Sequence, residues 1–159
     1  MAQKTNAIRL LDVHKISYKL REYPTNIPDI SAKGVADYLS VPLDTIYKTL
    51  VLEDDKKEHL VVVIAGNAQV DFKKIAKFIG RKKVELLPQK HLFGLTGYVH
   101  GGCSPIGMKK KLPTFIDQSA KKLDTITVSG GKIGLQLLIN PTDLANFLDA
   151  PFTLSLIHI

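Results

Sequence analysis

The sequence has very little of what several common kinds of site require. Its 159 residues include one cysteine and no tryptophan. Because a single thiol cannot form an internal disulfide, Cys103 fits a reducing compartment and has a role in packing or in chemistry. Without tryptophan, and with tyrosines scattered along the chain, a surface for stacking nucleic-acid bases is not indicated.

Long apolar runs are missing as well. No stretch approaches the ~18 residues needed to span a bilayer, and the N-terminal sequence MAQKTNAIRLLDVHK has no signal-peptide core. We therefore expect a cytoplasmic protein without membrane contact. The hydrophobic content of 45% and the 8 prolines are typical of one compact domain.

Positive charge is in excess, with 22 Lys and Arg against 15 Asp and Glu and a net charge of +7. This excess favours a polyanionic partner, with RNA as the natural candidate, although solubility alone explains many basic surfaces. The candidate RNA-binding residues, on one predicted helix face and two lysine-rich stretches, are Lys73, Lys74, Lys77, Lys82, Lys109 and Lys110.

Hydrophobic periodicity predicts a mixed α/β fold. Two β-branched runs, 46–52 and 60–65, flank the charged turn EDDKKEH and predict a hairpin of buried strands. Asp71 and Gly80 are the expected ends of an amphipathic helix. Strands and helices intermix without the alternation of a doubly wound fold, so we predict a mixed sheet curled toward a barrel, with helices packed outside. The other predicted elements are helices at 7–14, 32–39 and 141–149 and strands at 16–23, 84–87, 114–117, 125–129 and 135–139.

The C-terminal tail resembles a translated sequencing adapter. Its last six residues, LSLIHI, back-translate codon for codon to a transposase sequencing adapter. We therefore expect residues 1–153 to form a single domain and residues 154–159 to be an adapter-derived, non-native tail, and we assign no function to His158.

The sequence gives little support for a metal site or for a catalytic nucleophile. The histidines are dispersed, and His100 with Cys103 is the only close pair, which is too few ligands for zinc. A Cys–His dyad would need a third orienting group and a lowered thiol pKa. The stretch GCSPIGMK resembles a phosphate loop but has methionine where the lysine belongs. We expect no metal, no cofactor and no nucleotide hydrolysis.

Two glycine-rich bends are better candidates for anion binding. GGCSPIG at 101–107 and SGGK at 129–132 offer backbone N–H groups to an anion or to a developing oxyanion. Taken alone, a tight loop and a hairpin turn are the simpler interpretations.

Lys48 is the unusual residue of the predicted hairpin. On a strand it shares a face with Ile46, Leu50 and Leu52. Burial there would lower the pKa of the ammonium or require a partner, as in functional lysines. A lysine at the sheet rim would instead keep its charge in water, and the pattern alone favours the rim.

Four segments together carry a family resemblance: YKTLV at 47–51, TGYVHGGCSPIG at 96–107, VSGGKIGLQ at 128–136 and NPTDL at 140–144. They resemble, in order and over nearly the whole chain, the YbaK/EbsC family, the Cys-tRNA(Pro) deacylases. The resemblance implies a mixed α/β fold related to the editing domain of bacterial prolyl-tRNA synthetases, here acting in trans. It implies tRNA(Pro) mischarged with cysteine as the substrate and prolyl-tRNA synthetase as a partner.

The resemblance also assigns site residues. Lys48, Gly101 and Ser129 would be catalytic, and Lys48 would hold the 3′-terminal adenosine or its phosphate. Cys103 and Ile133 depart from the family pattern, in which an aliphatic residue and an arginine are common, and the missing cation at Ile133 puts a phosphate contact in doubt. The implied substrate-binding residues are Tyr23, Thr49, Gly102, Ser104, Gly130, Gly131 and Lys132, and the lysines named above become candidate tRNA contacts.

The resemblance supplies no protein nucleophile and no metal, so cleavage must use water or a group of the substrate. The thiol of a cysteinyl ester can attack the adjacent carbonyl and release a thiolactone, with the protein contributing position and oxyanion stabilisation. Two alternatives remain open: a deacylase for Ala-tRNA(Pro) that uses water, and a tRNA or synthetase adaptor without catalysis.

Overall fold

The computed structural model describes residues 4–154 and 156–158. Within them the chain forms five α-helices, eight strands in two sheets, and three short 3₁₀ turns. The 3₁₀ turns cover Leu43–Thr45, Gln89–His91 and Gln118–Lys122. The other elements are α1 (Asn6–Val13), β1 (Lys19–Glu22), α2 (Ala32–Leu39), β2 (Tyr47–Asp54), β3 (His59–Ala65), α3 (Phe72–Ile79), β4 (Val84–Leu86), α4 (Leu92–Thr96), β5 (Thr114–Asp117), β6 (Ile126–Ser129), β7 (Leu135–Ile139), α5 (Pro141–Leu148) and β8 (Phe152–Thr153).

The larger sheet has the strand order β4-β2-β3-β5-β8. Its β2 and β3 form the predicted antiparallel hairpin, in register from Tyr47 opposite Ala65 to Glu53 opposite His59, and β5 and β8 add in parallel. β4 pairs with β2 along Leu52–Asp54. The first half of β2 therefore extends beyond β4 and has one edge without a strand partner in the described part of this sheet.

The smaller sheet, with the order β1-β7-β6, is antiparallel throughout. One parallel bridge within the described residues, between Ile46 and Thr127, joins it to the larger sheet. The mixed α/β fold is confirmed, but the strands form two sheets rather than a single curled one, and the barrel-like detail is not confirmed. The outer strands are β1 and β6 in one sheet and β4 and β8 in the other, an order that alternation along single strands cannot reveal.

The central strands of the larger sheet are buried on both faces. Val61 and Val63 belong to a cluster with α1, α5 and the smaller sheet, while Val62 and Ile64 belong to a second cluster under α3. All four side chains are fully buried. Burial on two sides explains why β3 reads as the almost continuous apolar run HLVVVIA.

The predicted helix ends are confirmed. The Asp71 side chain accepts a hydrogen bond from Lys74 N at 3.0 Å, and Gly80 closes α3 with φ 73°. Ser31 and Asn140 cap α2 and α5. Within the part of the chain that the structure describes, no helix has the length and hydropathy to cross a bilayer.

Several elements differ from the sequence prediction. The hairpin strands run into the predicted turn, since β2 ends at Asp54 and β3 begins at His59. β1 is shorter than the predicted 16–23, because Ile16 N donates to Leu11 O at 2.9 Å and so helps to close α1. The five-residue α4 and the two-residue β8 were not predicted, since elements this short carry no measurable periodicity.

The segment after β8 packs against the second cluster. Leu156 is fully buried, and His158 Nδ1 lies 3.2 Å from Asp71 Oδ2. Positions 155 and 159 of the tail lie outside the described residues. That residues 154–159 are non-native, and that the domain ends at residue 153, both stay predictions.

Candidate active site

A cavity of about 890 Å³ opens beside the partner-free edge of β2. Its walls come from the start of α2, the first half of β2, the segment after β4, the loop before Ser104, the end of β6 and the start of β7. The fold therefore joins segments from most of the chain at one place. The predicted site residues that line this cavity are Tyr23, Lys48, Thr49, Gly101 and Ser129.

Lys48 is half-buried in the cavity wall. Its Nζ donates to Gly66 O at 3.4 Å, and it forms no ion pair with any described carboxylate. Burial lowers the pKa of this ammonium, because the charge loses hydration and gains only one long backbone contact. The structure thus favours the buried interpretation of Lys48 over the solvated rim.

Thr49 offers a second unsatisfied group. Its Oγ1 is buried and has no hydrogen-bond partner among the described residues, although the residue lines the cavity. A hydroxyl in this condition costs about 1–3 kcal/mol. Lys48 and Thr49 are consecutive strand residues whose side chains point to opposite faces of β2, and both residues line the cavity.

Two glycine loops meet at the far wall: the first glycine loop (residues 101–107) and the second glycine loop (residues 129–134). A Cβ on Gly102 would lie 2.9 Å from both Ile133 N and Lys132 Cα, so only glycine permits the contact between them. Gly101 adopts φ 87°, which also favours glycine. The predicted meeting of these loops in one site is a property of the fold.

Most of the N–H groups of the predicted loop glycines are already bonded within the protein. Gly102 N donates to Val99 O at 2.9 Å, and Gly130 N donates to Leu135 O at 2.9 Å. Gly131 N donates to Ser129 Oγ at 3.1 Å. In the described chain Gly101 N has no such partner. Of the four glycines, Gly101 is therefore the one whose N–H is free for a ligand.

Several predicted substrate-binding residues do not line the cavity. Ser104 is fully buried, and its Oγ accepts from Ile106 N at 3.3 Å. Lys132 is exposed to solvent. Gly102, Gly130 and Gly131 support the loops rather than face the cavity. A direct role of these five residues in substrate binding stays a prediction.

The candidate RNA contacts differ in their exposure. Lys74 is partly covered, and its Nζ donates to Ile157 O at 3.2 Å, so its charge is less available than the helical pattern indicates. The other candidate side chains are exposed: Lys73, Lys77, Lys82, Lys109 and Lys110.

Cys103 and His100 both line the cavity but differ from a catalytic dyad. Burial raises the pKa of the Cys103 thiol to about 11, so the thiol is protonated and weakly nucleophilic at neutral pH. His100 is exposed at the mouth. No three His, Cys, Asp or Glu side chains within residues 4–154 and 156–158 are arranged to hold a metal ion.

Sequence reasoning missed Gln136. This buried residue of β7 lines the cavity, and its Oε1 accepts from Arg21 Nε at 2.9 Å. Arg21 Nη2 also donates to Thr127 Oγ1 at 3.2 Å. Gln136 lies opposite Ser129 on β6 and opposite Arg21 on β1. The available signal was one polar residue within the apolar run LQLLI.

Together these groups define the class of site. Lys48, Thr49 and Gly101 line one cavity in a small α/β protein and have, in the described chain, a half-buried ammonium, a buried hydroxyl without a partner and an N–H without a backbone acceptor, a set of groups suited to a ligand rich in hydrogen-bond acceptors. The family model of the aminoacyl-tRNA editing domain matches residues 29–147. The chain belongs to this family, and the predicted YbaK/EbsC resemblance is confirmed.

Curated relatives agree with this assignment. EbsC of Enterococcus faecalis, provisionally named a Cys-tRNA(Pro)/Cys-tRNA(Cys) deacylase, is 43% identical over 150 residues, which are 94% of this chain and 92% of that protein. A proline–tRNA ligase of Sulfurihydrogenibium sp. is 34% identical over 106 residues, which are 66% of this chain and 18% of the ligase. The chain therefore matches EbsC over almost its full length and the ligase over one part.

Solved structures share the fold. A protein described as hypothetical superposes with a TM-score of 0.85 at 19% identity, covering 97% of this chain and 100% of that chain. A second, provisionally described as a trans-editing enzyme for prolyl-tRNA synthetase, has a TM-score of 0.83 at 20% identity, covering 99% of this chain and 100% of that chain. At these identities the likeness establishes the fold.

Proposed function

We propose that this protein removes cysteine from mischarged tRNA(Pro), acting in trans. The editing-domain family and the similarity to EbsC support the general activity, that of an aminoacyl-tRNA deacylase. The similarity to one part of a proline–tRNA ligase supports tRNA(Pro) as the nucleic acid and prolyl-tRNA synthetase as the partner that releases it. The proposed compartment is the cytoplasm, where tRNA is charged.

One observation carries the proposal: two adjacent residues of β2 line one cavity, and among the described residues the ammonium of the first has no counter-charge and the buried hydroxyl of the second has no hydrogen-bond partner. Both groups are unfavourable in the free protein. The 3′ end of an aminoacyl-tRNA brings phosphate, ribose and ester oxygens, all of which accept hydrogen bonds. Lys48 would hold the terminal adenosine or its phosphate, and Thr49 would donate to a neighbouring oxygen.

The far wall suits the reacting carbonyl. Gly101 has the free N–H, and the Ser129 hydroxyl accepts from Gly131 N while its own hydrogen can still be donated. Two donors fixed by the fold stabilise the oxyanion that forms during acyl transfer. These are the two loop residues that the family resemblance assigns to catalysis.

The cleavage step uses the substrate's own thiol. The cysteinyl sulfur gives up its proton and attacks the ester carbonyl, the bond from that carbonyl carbon to the ribose oxygen breaks, and the ribose oxygen takes up a proton. The products are a cysteine thiolactone and uncharged tRNA. The protein contributes position and electrostatic stabilisation, which fits a cavity whose own thiol, on Cys103, is protonated at neutral pH.

The tRNA body would contact the exposed lysines of α3, of the turn between α3 and β4, and of the segment after the first glycine loop. Lys73, Lys77, Lys82, Lys109 and Lys110 provide this charge. A few phosphate contacts give weak, salt-dependent binding, so delivery by the synthetase is part of the proposal.

The test compares Cys-, Ala- and Ser-tRNA(Pro) as substrates of the wild type and of Lys48→Ala. We expect rapid deacylation of the cysteinyl ester, slow cleavage of the seryl ester, and a loss of about 100-fold in kcat/KM in Lys48→Ala. Lys121→Ala is the matched control, since it removes an exposed lysine outside the cavity; it should retain activity.

The outcomes separate the alternatives. Equal rates on the cysteinyl and seryl esters would replace the substrate-assisted step with activated water. Preferential cleavage of the alanyl ester would identify an Ala-tRNA(Pro) deacylase. Binding of tRNA without cleavage of any ester would identify an adaptor and end the proposal.

A further inference from the structure

Thr5 and Asn6, near the start of the described chain, form hydrogen bonds with both glycine loops. Thr5 Oγ1 donates to Gly130 O in the second glycine loop. Its neighbour Asn6 donates from Nδ2 to Gly107 O in the first glycine loop, at 2.7 Å. Two consecutive residues at the start of α1 therefore attach to two loops that lie more than a hundred positions away in sequence.

Close packing reinforces these bonds. A Cβ on Gly131 would lie 3.0 Å from Thr5 Cβ and 3.2 Å from Tyr98 Cε1, and a Cβ on Gly107 would lie 2.9 Å from Asn6 Nδ2 and 3.0 Å from Tyr98 Oη. Tyr98 Oη also donates to Ile106 O at 2.6 Å. Thr5, Asn6 and Tyr98 thus form one support behind the loops, which we name the rear brace.

The rear brace is connected directly to the cavity wall. Gly130 follows Ser129, which lines the cavity, and Gly131 N donates to the Ser129 hydroxyl oxygen. Further along the same loop, Ile133 packs against Gly101 and Gly102, with Gly102 at a distance that only glycine allows. A shift of the second glycine loop therefore moves both groups assigned to the oxyanion, Ser129 and Gly101.

We propose that Thr5 is a positioning residue for the deacylation site, acting through Gly130 on Ser129 and Gly101. This inference rests on the proposed function for its catalytic consequence. The geometry gives the Thr5 hydroxyl two tasks at once. Its oxygen accepts from Ile8 N at 3.3 Å as the N-cap of α1, and its hydrogen is donated to Gly130 O.

Substitution can separate the two tasks. Serine keeps both the acceptor and the donor. Aspartate keeps the N-cap acceptor but, being ionised, cannot donate to Gly130 O. Thr5→Asp therefore preserves the helix cap while removing the bond to the loop, and Thr5→Ala removes both.

Asn140 provides a matched control in the same chain. It caps α5 by accepting from Asp143 N at 3.0 Å, and its Nδ2 donates to Asp124 O at 3.2 Å. Asn140→Asp also keeps a cap and removes a donor to a backbone carbonyl, but that carbonyl belongs to Asp124, outside both glycine loops.

The experiment measures melting temperature and single-turnover deacylation of Cys-tRNA(Pro) for these variants. We expect Thr5→Asp to melt close to the wild type and to lose about tenfold or more in the rate of the chemical step, with little change in the tRNA concentration needed for half-saturation. Thr5→Ser should restore the rate, and Asn140→Asp should keep it. A Thr5→Asp rate equal to that of the wild type, or a Thr5→Ser rate as low as that of Thr5→Asp, would overturn the inference.

A second readout does not depend on catalysis. The amide resonances of Gly101 and Ser129 should shift in Thr5→Asp, return in Thr5→Ser and stay unchanged in Asn140→Asp. If no ester is cleaved by the wild type, the proposed function fails, while these resonances still decide whether Thr5 sets the position of the wall. Unchanged resonances in Thr5→Asp would refute the positioning role itself.

Discussion

The strand β2 carries two polar side chains, Asp54 and Thr49, whose surroundings are opposite. Asp54, at its end, accepts from Lys56 N at 2.8 Å, Glu58 N at 3.0 Å and Arg81 Nε at 2.9 Å. Thr49, near its start, has a buried hydroxyl with no partner in the described chain. One half of β2 therefore has a buried carboxylate with several hydrogen-bond donors, and the other half has a buried hydroxyl without a described partner.

Sheet topology causes the difference. The end of β2 lies between β3 and β4, whereas its start lies beyond the reach of β4 and borders the cavity. The closed half stabilises the hairpin, and the open half contains the buried hydroxyl and the half-buried ammonium to which we assign the ligand. Polar groups without hydrogen-bond partners are expected at functional sites, where other parts of the fold offset their cost in stability.

The largest effect on stability is expected in the closed half. Asp54→Ala leaves two backbone N–H groups and the Arg81 guanidinium without their acceptor, so the free energy of unfolding should fall by about 3 kcal/mol. Urea denaturation measures this change. Glu58→Ala is the control, because its exposed carboxylate contacts the same Arg81 at 3.4 Å and should contribute less than about 1 kcal/mol.

Equal losses in the two variants would show that the bonds around Asp54 are no stronger than a surface ion pair. Deacylation by the folded fraction of Asp54→Ala should match the wild type, since Asp54 does not line the cavity. A lower activity of the folded Asp54→Ala protein would show that the closed half of β2 also contributes to deacylation.

In the open half of β2 we expect a substitution to raise the free energy of unfolding. Thr49→Val keeps the shape of the side chain and removes the unpartnered hydroxyl, so the free energy of unfolding should rise by about 1 kcal/mol. The rate of deacylation should fall by about tenfold, because the hydroxyl donates to the substrate only in the complex. Urea denaturation and single-turnover kinetics check the two signs.

Thr96→Val is the matched control for this substitution. The Thr96 hydroxyl donates to Leu92 O at 2.8 Å and accepts from Tyr98 N at 3.0 Å, so its removal should lower stability by about 1–2 kcal/mol. If Thr49→Val is also less stable than the wild type, the Thr49 hydroxyl of the wild type has a hydrogen-bond partner in solution. The open half of β2 would then not hold a free hydroxyl for a ligand.

The hairpin of β2 and β3 could be predicted from the sequence, but each half of β2 only in part, since the pattern assigned Glu53 and Asp54 to the turn at 53–59. The apolar runs of β2 and β3 and the capping residues Asp71 and Gly80 carry local signals, and each is where the pattern indicates. Strand parity also identified Lys48 as unusual. Whether Lys48 is buried depends on where β4 stops pairing with β2, which no local pattern contains.

The polar wall formed by the smaller sheet was missed for the same reason. Gln136 reaches the cavity because β7 pairs with β1 on one side and β6 on the other, which places Arg21 and Ser129 beside it. Pairing between strands so far apart in sequence is decided by the tertiary fold. The family resemblance supplied Ser129, but not the residues that orient its neighbours.

The smallest expected effect is a pH dependence from Lys48. Its folded pKa is lowered by burial, whereas in the unfolded chain it is about 10.4. Between these two values the unfolded state binds a proton that the folded state does not, so stability rises with pH in that window. Lys48→Met removes this titration and should therefore be more stable than the wild type near neutral pH, by a margin that shrinks as the pH approaches about 10.

Urea denaturation of both proteins at several pH values measures that margin. Lys57→Met serves as the control, since Lys57 is exposed and pairs with Glu53 at 3.3 Å, and its effect should not vanish toward alkaline pH. A margin for Lys48→Met that stays constant with pH would mean that the ammonium is solvated. The open half of β2 would then contain one unsatisfied group instead of two, and the position of Lys48 at the rim, which the sequence pattern alone favours, would be correct.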